Sequence, residues 1–227
     1  PKVFKKTTKL LQDTVHLYLD WIREGVLDES NWVKVNYIEK EAEEEDEDEG
    51  NEDQEIDVVK TLPQSAEACL DHLCLVIHGR VLLPVLFGQI NQLITSSDWS
   101  HRYTSMLATS IALEGCSMSL ASRIPDLISK AEEMAQDTNP RVRWGVMRFT
   151  GQLCLDFKDK LNPSHLSRLV SLLGNCLDRN IDDQPAIWET LNATTLFFEN
   201  LMPSMVSSLN FDHIIDSLYT CLLYTSR

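Results

Sequence analysis

Cysteines, a pair of histidines and a dense block of carboxylates are the residues of this 227-residue chain whose types permit chemistry. The six cysteines (Cys69, Cys74, Cys116, Cys154, Cys176, Cys221) occur singly inside apolar stretches. No CxxC pair occurs, and no spacing would gather thiolates around one metal. They read as small core residues of a protein in a reducing compartment. His72 and His78 stand six apart and cannot share a helix face as ligands. G-x-S-x-G, H-E-x-x-H and G-x-x-x-x-G-K-[ST] are all absent. The expectation is a protein without catalysis, cofactor or metal.

The carboxylates are the distinctive feature. Between Glu39 and Asp57 stand thirteen acidic residues and one lysine, which account for twelve of the fifteen net negative charges. Like charges at that density repel and bury nothing, so residues 39–57 are expected to form a disordered acidic loop. Glu43, Glu44, Glu45, Asp46, Glu47 and Asp48 at its centre are candidates for attracting a basic partner, since opposite fields speed encounter. A solvated linker is the plainer reading of the same residues. Direct nucleic-acid binding is opposed by the net charge of −15. Only Lys2, Lys5, Lys6 and Lys9 cluster, and a solvated helix face explains them. No run of about 18 apolar residues offers a membrane span, and no charged-then-apolar leader opens the sequence. The expected compartment is the cytosol or the nucleus.

Helices must position these residues. Eight glycines and eight prolines in 227 residues are too few for the turns of an all-β fold. Self-similarity organises the chain. Asp98-Trp99-Ser100-His101-Arg102-Tyr103 and Asn139-Pro140-Arg141-Val142-Arg143-Trp144 each open a helix, with the same Arg-then-aromatic step 41 residues apart. Gln184-Pro185-Ala186-Ile187-Trp188 makes a third opening, 44 residues after the second, with Ile187 where the others carry Arg102 and Arg143. These intervals fall in the roughly 40–47 residue range of HEAT and armadillo repeats. Each unit then supplies a second helix with one apolar stripe, such as Leu120, Ile124, Leu127, Ile128, Ala131 or Leu166, Leu169, Val170, Leu173, Leu177. Asp98 and Asn139 read as N-caps, and Pro140 and Pro185 sit near first turns.

The expected architecture is an all-α superhelix, a HEAT or armadillo-like solenoid. Pairs span 63–96, 98–135, 139–178 and 184–222, and a leading helix at 3–26 serves as the second helix of a preceding repeat. The helical pattern runs to both ends, so the chain is expected to be a fragment of a longer array, with a non-native end at 223–227. Hairpins of this kind cannot cover their apolar faces alone; stacked, they bury a continuous core and present curved surfaces that bind proteins.

The two openings continue to Glu114-Gly115-Cys116 and to Gly151-Gln152 with Asp156-Phe157. Together with Leu82-Leu83-Pro84-Val85 and the acidic block one helix pair earlier, they resemble consecutive HEAT repeats of the karyopherin-β family. The resemblance covers roughly residues 4–222 and is strongest between 64 and 160. Ile187, Phe197 and Phe198 depart from it. It implies a nuclear import receptor that shuttles between cytoplasm and nucleus. Such a receptor carries basic cargo with nuclear localisation signals, releases it on binding Ran-GTP, and contacts Phe-Gly nucleoporins. The alternatives are a static HEAT scaffold for a multiprotein complex and an acidic chaperone for basic proteins.

Within that frame Arg102 and Arg143 are expected to hydrogen-bond acidic or carbonyl groups of the adjacent repeat, and Trp99 and Trp144 to pack between repeats. Second helices would line the concave face. Glu132, Glu133, Asn175, Asp178 and Asp182, off the apolar stripes, are then the candidates for holding Lys or Arg of a basic cargo, with plain solvated surface as the alternative for each.

Overall fold

The computed structural model describes residues 2–27 and 61–225. The expected acidic loop at 39–57, with Glu43 to Asp48, lies outside the described residues. Ten α-helices are described: α1 Lys2–Leu27, α2 Leu62–Val76, α3 Gly79–Leu93, α4 Trp99–Leu120, α5 Ile124–Met134, α6 Pro140–Asp156, α7 Pro163–Asn180, α8 Gln184–Asn200, the single turn α9 Pro203–Val206, and α10 Asp212–Thr225. Short 3₁₀ turns at Ala121–Arg123 and Lys158–Lys160 complete the described elements, which contain no strand.

Side-chain caps set the starts of these helices. A helix leaves its first N–H groups without carbonyl partners, and a short polar side chain just before it supplies one. Asp98 accepts from the Ser100 N–H at 2.9 Å, Asn139 from Arg141 at 2.9 Å, Asn162 from His165 at 2.9 Å and Asp183 from Ala186 at 2.9 Å. Gln64 of α2 reaches back to the Thr61 N–H at 2.9 Å. Pro63, Pro140, Pro163 and Pro185 occupy first turns, where a missing N–H costs nothing.

The helices stack in two layers. First helices α2, α4, α6 and α8 lie side by side, second helices α3, α5 and α7 pack on them, and α10 packs against α7. Being flanked on two sides, α4 buries 13 of its 22 residues, so its sequence shows no single stripe. Many of the buried positions are small or hydroxylic, which lets the helices approach closely. Their hydroxyls are satisfied by the carbonyl one turn back: Thr104 to Ser100 at 2.9 Å, Thr109 to Ser105 at 2.7 Å, Thr150 to Val146 at 2.8 Å. Gly115 marks a close approach of backbone to backbone, since a Cβ there would stand 2.5 Å from the Cys74 carbonyl carbon.

The second helices follow a strict register. Leu86, Phe87, Ile90 and Ile94 of α3 and its C-cap correspond to Leu127, Ile128, Ala131 and Ala135, and these to Leu169, Val170, Leu173 and Leu177. All twelve are buried. The steps are 41 and then 42 residues.

Helix α1 lies antiparallel to α2, with Tyr18 against Cys69 and Gly25 against Pro63. Its buried face is Val15, Leu19, Ile22 and Val26, and Gln89 of α3 donates to the Gln12 carbonyl at 3.0 Å.

Three sequence expectations need correction. The last helix runs to Thr225 rather than stopping at 222, because Ile214, Ser217 and Cys221 continue one buried stripe and nothing breaks the helix after Leu222. The third pair extends to Asn180 rather than 178, since Asn180 is buried and bonded there. Cys69 is exposed, on the outer side of α2 where α1 only partly covers it, while the other five cysteines are buried. Burial pushes the Cys154 and Cys176 thiols up to about 12, which keeps them protonated and inert.

Candidate partner-binding surface

The loops that join successive repeats carry a ladder built on two arginines. Arg102 donates through Nε and Nη2 to the two oxygens of Asp137 at 2.6 and 3.1 Å, and through Nη1 to the Ser96 and Ser97 carbonyls at 2.8 and 2.9 Å. Asp137 belongs to the next inter-repeat loop and also accepts from the Asn139 N–H at 2.9 Å. One repeat on, Arg143 donates to Asn180 at 2.6 Å and to the Asp137 and Thr138 carbonyls at 2.9 and 3.1 Å. Each arginine thus staples its own entry loop to the following one, the planar donor fork meeting several acceptors at once. Ile187 ends the ladder; the Asn180 amide instead donates to Thr190 at 2.9 Å.

Burial alone would disfavour the charge on Asp137. The Arg102 bonds, the Asn139 N–H and the charges of Arg102 and Arg143 outweigh it and hold the carboxyl below its ordinary range. Arg143 is buried, which lowers its guanidinium from the usual value, with Arg179 nearby adding to the effect.

Aromatics reinforce the same seam. Trp144 is buried and stacks on Tyr103 of the preceding repeat, ring centroids 5.8 Å apart at 24°. The Arg141 guanidinium covers Trp99 at 5.2 Å and hydrogen-bonds the Val26 carbonyl at the end of α1. Since Gly25 touches Pro63, the described residues on either side of the 28–60 stretch meet at this loop edge.

The polar residues of the second helices are not equivalent. Glu132 is engaged: Arg168 of α7 donates to its two oxygens at 2.9 and 2.6 Å and to Ser129 at 2.8 Å, bridging α5 and α7. Asp178 meets His213 of α10 at 2.9 Å. Burial opposes ionisation of Asp178, but bonds from His213 and Ser217 hold its carboxyl below the usual range. Glu133 is exposed and pairs with Lys130 at 2.6 Å within α5. Asn175 is exposed on the same face, and Asp182 is exposed in the loop before α8. The structure therefore brings Glu132, Glu133, Asn175 and Asp178 to the second-helix layer, while Asp182 lies at the loop edge with the arginine ladder.

Arg168 and His213 escaped the sequence reading. A basic residue one repeat after an acidic one on the same apolar framework was the available signal, legible only once the register is fixed. Among the described residues, no group of three His, Cys, Asp or Glu gathers as a metal site, and no helix is long and apolar enough to cross a membrane.

No family model matches the sequence. Over 114 residues the chain is 33% identical to importin subunit beta-3 of Saccharomyces cerevisiae, a match covering 47% of this chain and 10% of that protein. Among solved structures it is similar to Kap121p bound to RanGTP, with a TM-score of 0.71 and 25% identity over 98% of this chain. Similarity to Kap121p bound to Ste12p is of the same order, at TM-score 0.72 and 25% identity. The chain spans 20% of the length of either Kap121p structure.

Proposed function

Because the chain belongs to the karyopherin-β family, we propose that it is a segment of a nuclear import receptor that holds basic cargo and surrenders it when Ran-GTP binds. The observation that carries this reading is the likeness of nearly the whole chain to Kap121p captured with RanGTP, together with the 33% identity to an importin subunit. Phe-Gly nucleoporins are the further partner class that membership brings, and shuttling between cytoplasm and nucleus the corresponding itinerary. The mechanism is binding without bond chemistry: two partners favour different arrangements of one array, and the coupling between them sets release.

Charge divides the labour. On the second-helix surface Glu132 and Asp178 are already paired within the array, so long-range attraction for basic cargo falls to the acidic residues 39–57. Glu133 and Asn175 then offer short-range contacts, and Glu132, Asp178 and Asp182 join if cargo cations displace their present partners.

Titration of a fluorescent lysine-rich signal peptide tests this division. Deleting residues 39–57 should weaken binding at least tenfold at low salt and flatten its salt dependence, while Glu133→Lys with Asn175→Lys weakens binding at every salt concentration. Peptide affinity untouched by all of these changes overturns the assignment. A static scaffold would bind no such peptide.

A further inference from the structure

The bridge between α5 and α7 includes a hydroxyl as well as a carboxylate. Arg168 donates to the two oxygens of Glu132 and, through Nη2, to Ser129 Oγ at 2.8 Å. Ser129 is exposed near the middle of α5 and donates its own proton to the Pro125 carbonyl at 2.9 Å. The register shows how particular this is. Gly88 stands at the same position 41 residues earlier and has no side chain, while Ser171, 42 residues later and equally exposed, bonds within its own helix to the Ser167 carbonyl at 3.1 Å.

The sequence around the hydroxyl is as specific as its contacts. Ser129-Lys130-Ala131-Glu132-Glu133 sets carboxylates three and four residues after the serine, whereas Leu172-Leu173-Gly174 follows Ser171. Kinases with basic peptide grooves select acids just after the acceptor, since substrate choice among kinases is written largely in charge.

We propose that Ser129 is a phosphorylation site and that its phosphate takes Arg168 from Glu132. The γ-phosphoryl group of ATP passes to Ser129 Oγ: its bond to the ADP oxygen breaks, the new P–O bond forms, and the hydroxyl proton leaves to the base of the kinase. Kinases hold their substrates extended, so the transfer draws on local opening of α5, a short helix of 11 residues buried along one face. The product carries nearly two negative charges and three acceptor oxygens where Arg168 Nη2 already points. Asp126 and Glu132 stand one turn to either side on α5, and their like charge opposes a phosphate that no cation holds. Glu132, with one charge and two oxygens, is the weaker competitor for the guanidinium and is released to solvent. The bridge from α5 to α7 thus survives with a new acceptor, while the second-helix surface gains negative charge. The site does not depend on the transport reading.

Treating the full chain with ATP and an acid-directed protein kinase, then mapping the product by mass spectrometry, tests the acceptor. The expected result is phosphate on Ser129 and none on Ser171, at least tenfold slower when Glu132→Gln and Glu133→Gln are combined. Phosphorus NMR of the product tests the bridge. The second ionisation of the phosphoserine should lie about half a unit or more lower in the unaltered chain than in Arg168→Ala, because the guanidinium favours the dianion. Thermal transitions of the variants establish that each one is folded before it is compared. No phosphate at Ser129, labelling indifferent to the loss of both acids, or an ionisation unmoved by Arg168→Ala would each overturn the proposal.

Discussion

The two helix layers of this array solve the same stacking problem with different materials. First helices use alanine, serine, threonine and glycine, bury both flanks, and approach until backbone meets backbone at Gly115 and Cys74. Second helices use leucine stripes on one side and are joined by discrete polar bridges, Arg168 to Glu132 and His213 to Asp178. Close packing of small residues leaves little freedom, because interiors at crystal-like density tolerate no displacement without cost. A layer held by exposed ion pairs can change spacing cheaply, because such pairs contribute about 1 kcal/mol or less. On these energetics, a change of spacing costs least in the second-helix layer and most in the first-helix layer and the arginine ladder.

Substitutions can break this contrast, beginning with the ladder. Asp137→Ala leaves the part-buried Arg102 guanidinium without its carboxylate, and the expected loss is about 3 kcal/mol in urea unfolding. The same carboxyl gives an acid signature. Its ionisation is favoured in the folded chain, so its stabilisation is complete above its ordinary value near 3.8 and is lost as pH falls below that. Asp98, held low by the Ser100 N–H and hydroxyl, contributes in the same window. Asp137→Asn should flatten the dependence of melting temperature on pH below about 4.

Gly115→Ala comes next. Its methyl would meet the backbone of Cys74 and Leu75, which cannot move aside as a side chain would, and the expected cost is about 2 kcal/mol. In the other layer, Gly88→Ala has nothing within 4 Å of the added carbon, so the same substitution should stabilise by about 0.5–1 kcal/mol through helix propensity alone. Opposite signs for one chemical change in the two layers is the sharpest form of the comparison. Smallest is Arg168→Ala: the pair is roughly a third exposed, and its removal should cost about 0.5 kcal/mol, visible mainly as faster amide exchange where α5 meets α7.

How much of this was legible in the sequence depends on the layer. Second helices announced themselves through stripes such as Leu166, Leu169, Val170, Leu173, because one face is buried and the period is plain. First helices lack that signal, and only their caps and the repeated Arg-then-aromatic step placed them. Arg102 and Arg143 were expected to reach the adjacent repeat because they stand where HEAT-repeat openings commonly carry such an Arg; their acceptors, Asp137 and Asn180, could not be chosen from many nearby polar residues. Acidic residues singled out for cargo were less well resolved, since Glu132 and Asp178 bond to basic residues one repeat later, a relation that composition hides.

The receptor assignment is tested most directly by presenting the full-length protein with Ran loaded with GTP and, separately, with GDP at physiological salt. The account predicts clear preference for the GTP form, with bound lysine-rich peptide released as Ran-GTP is added. Equal affinity for the two forms, or none for either, would contradict it.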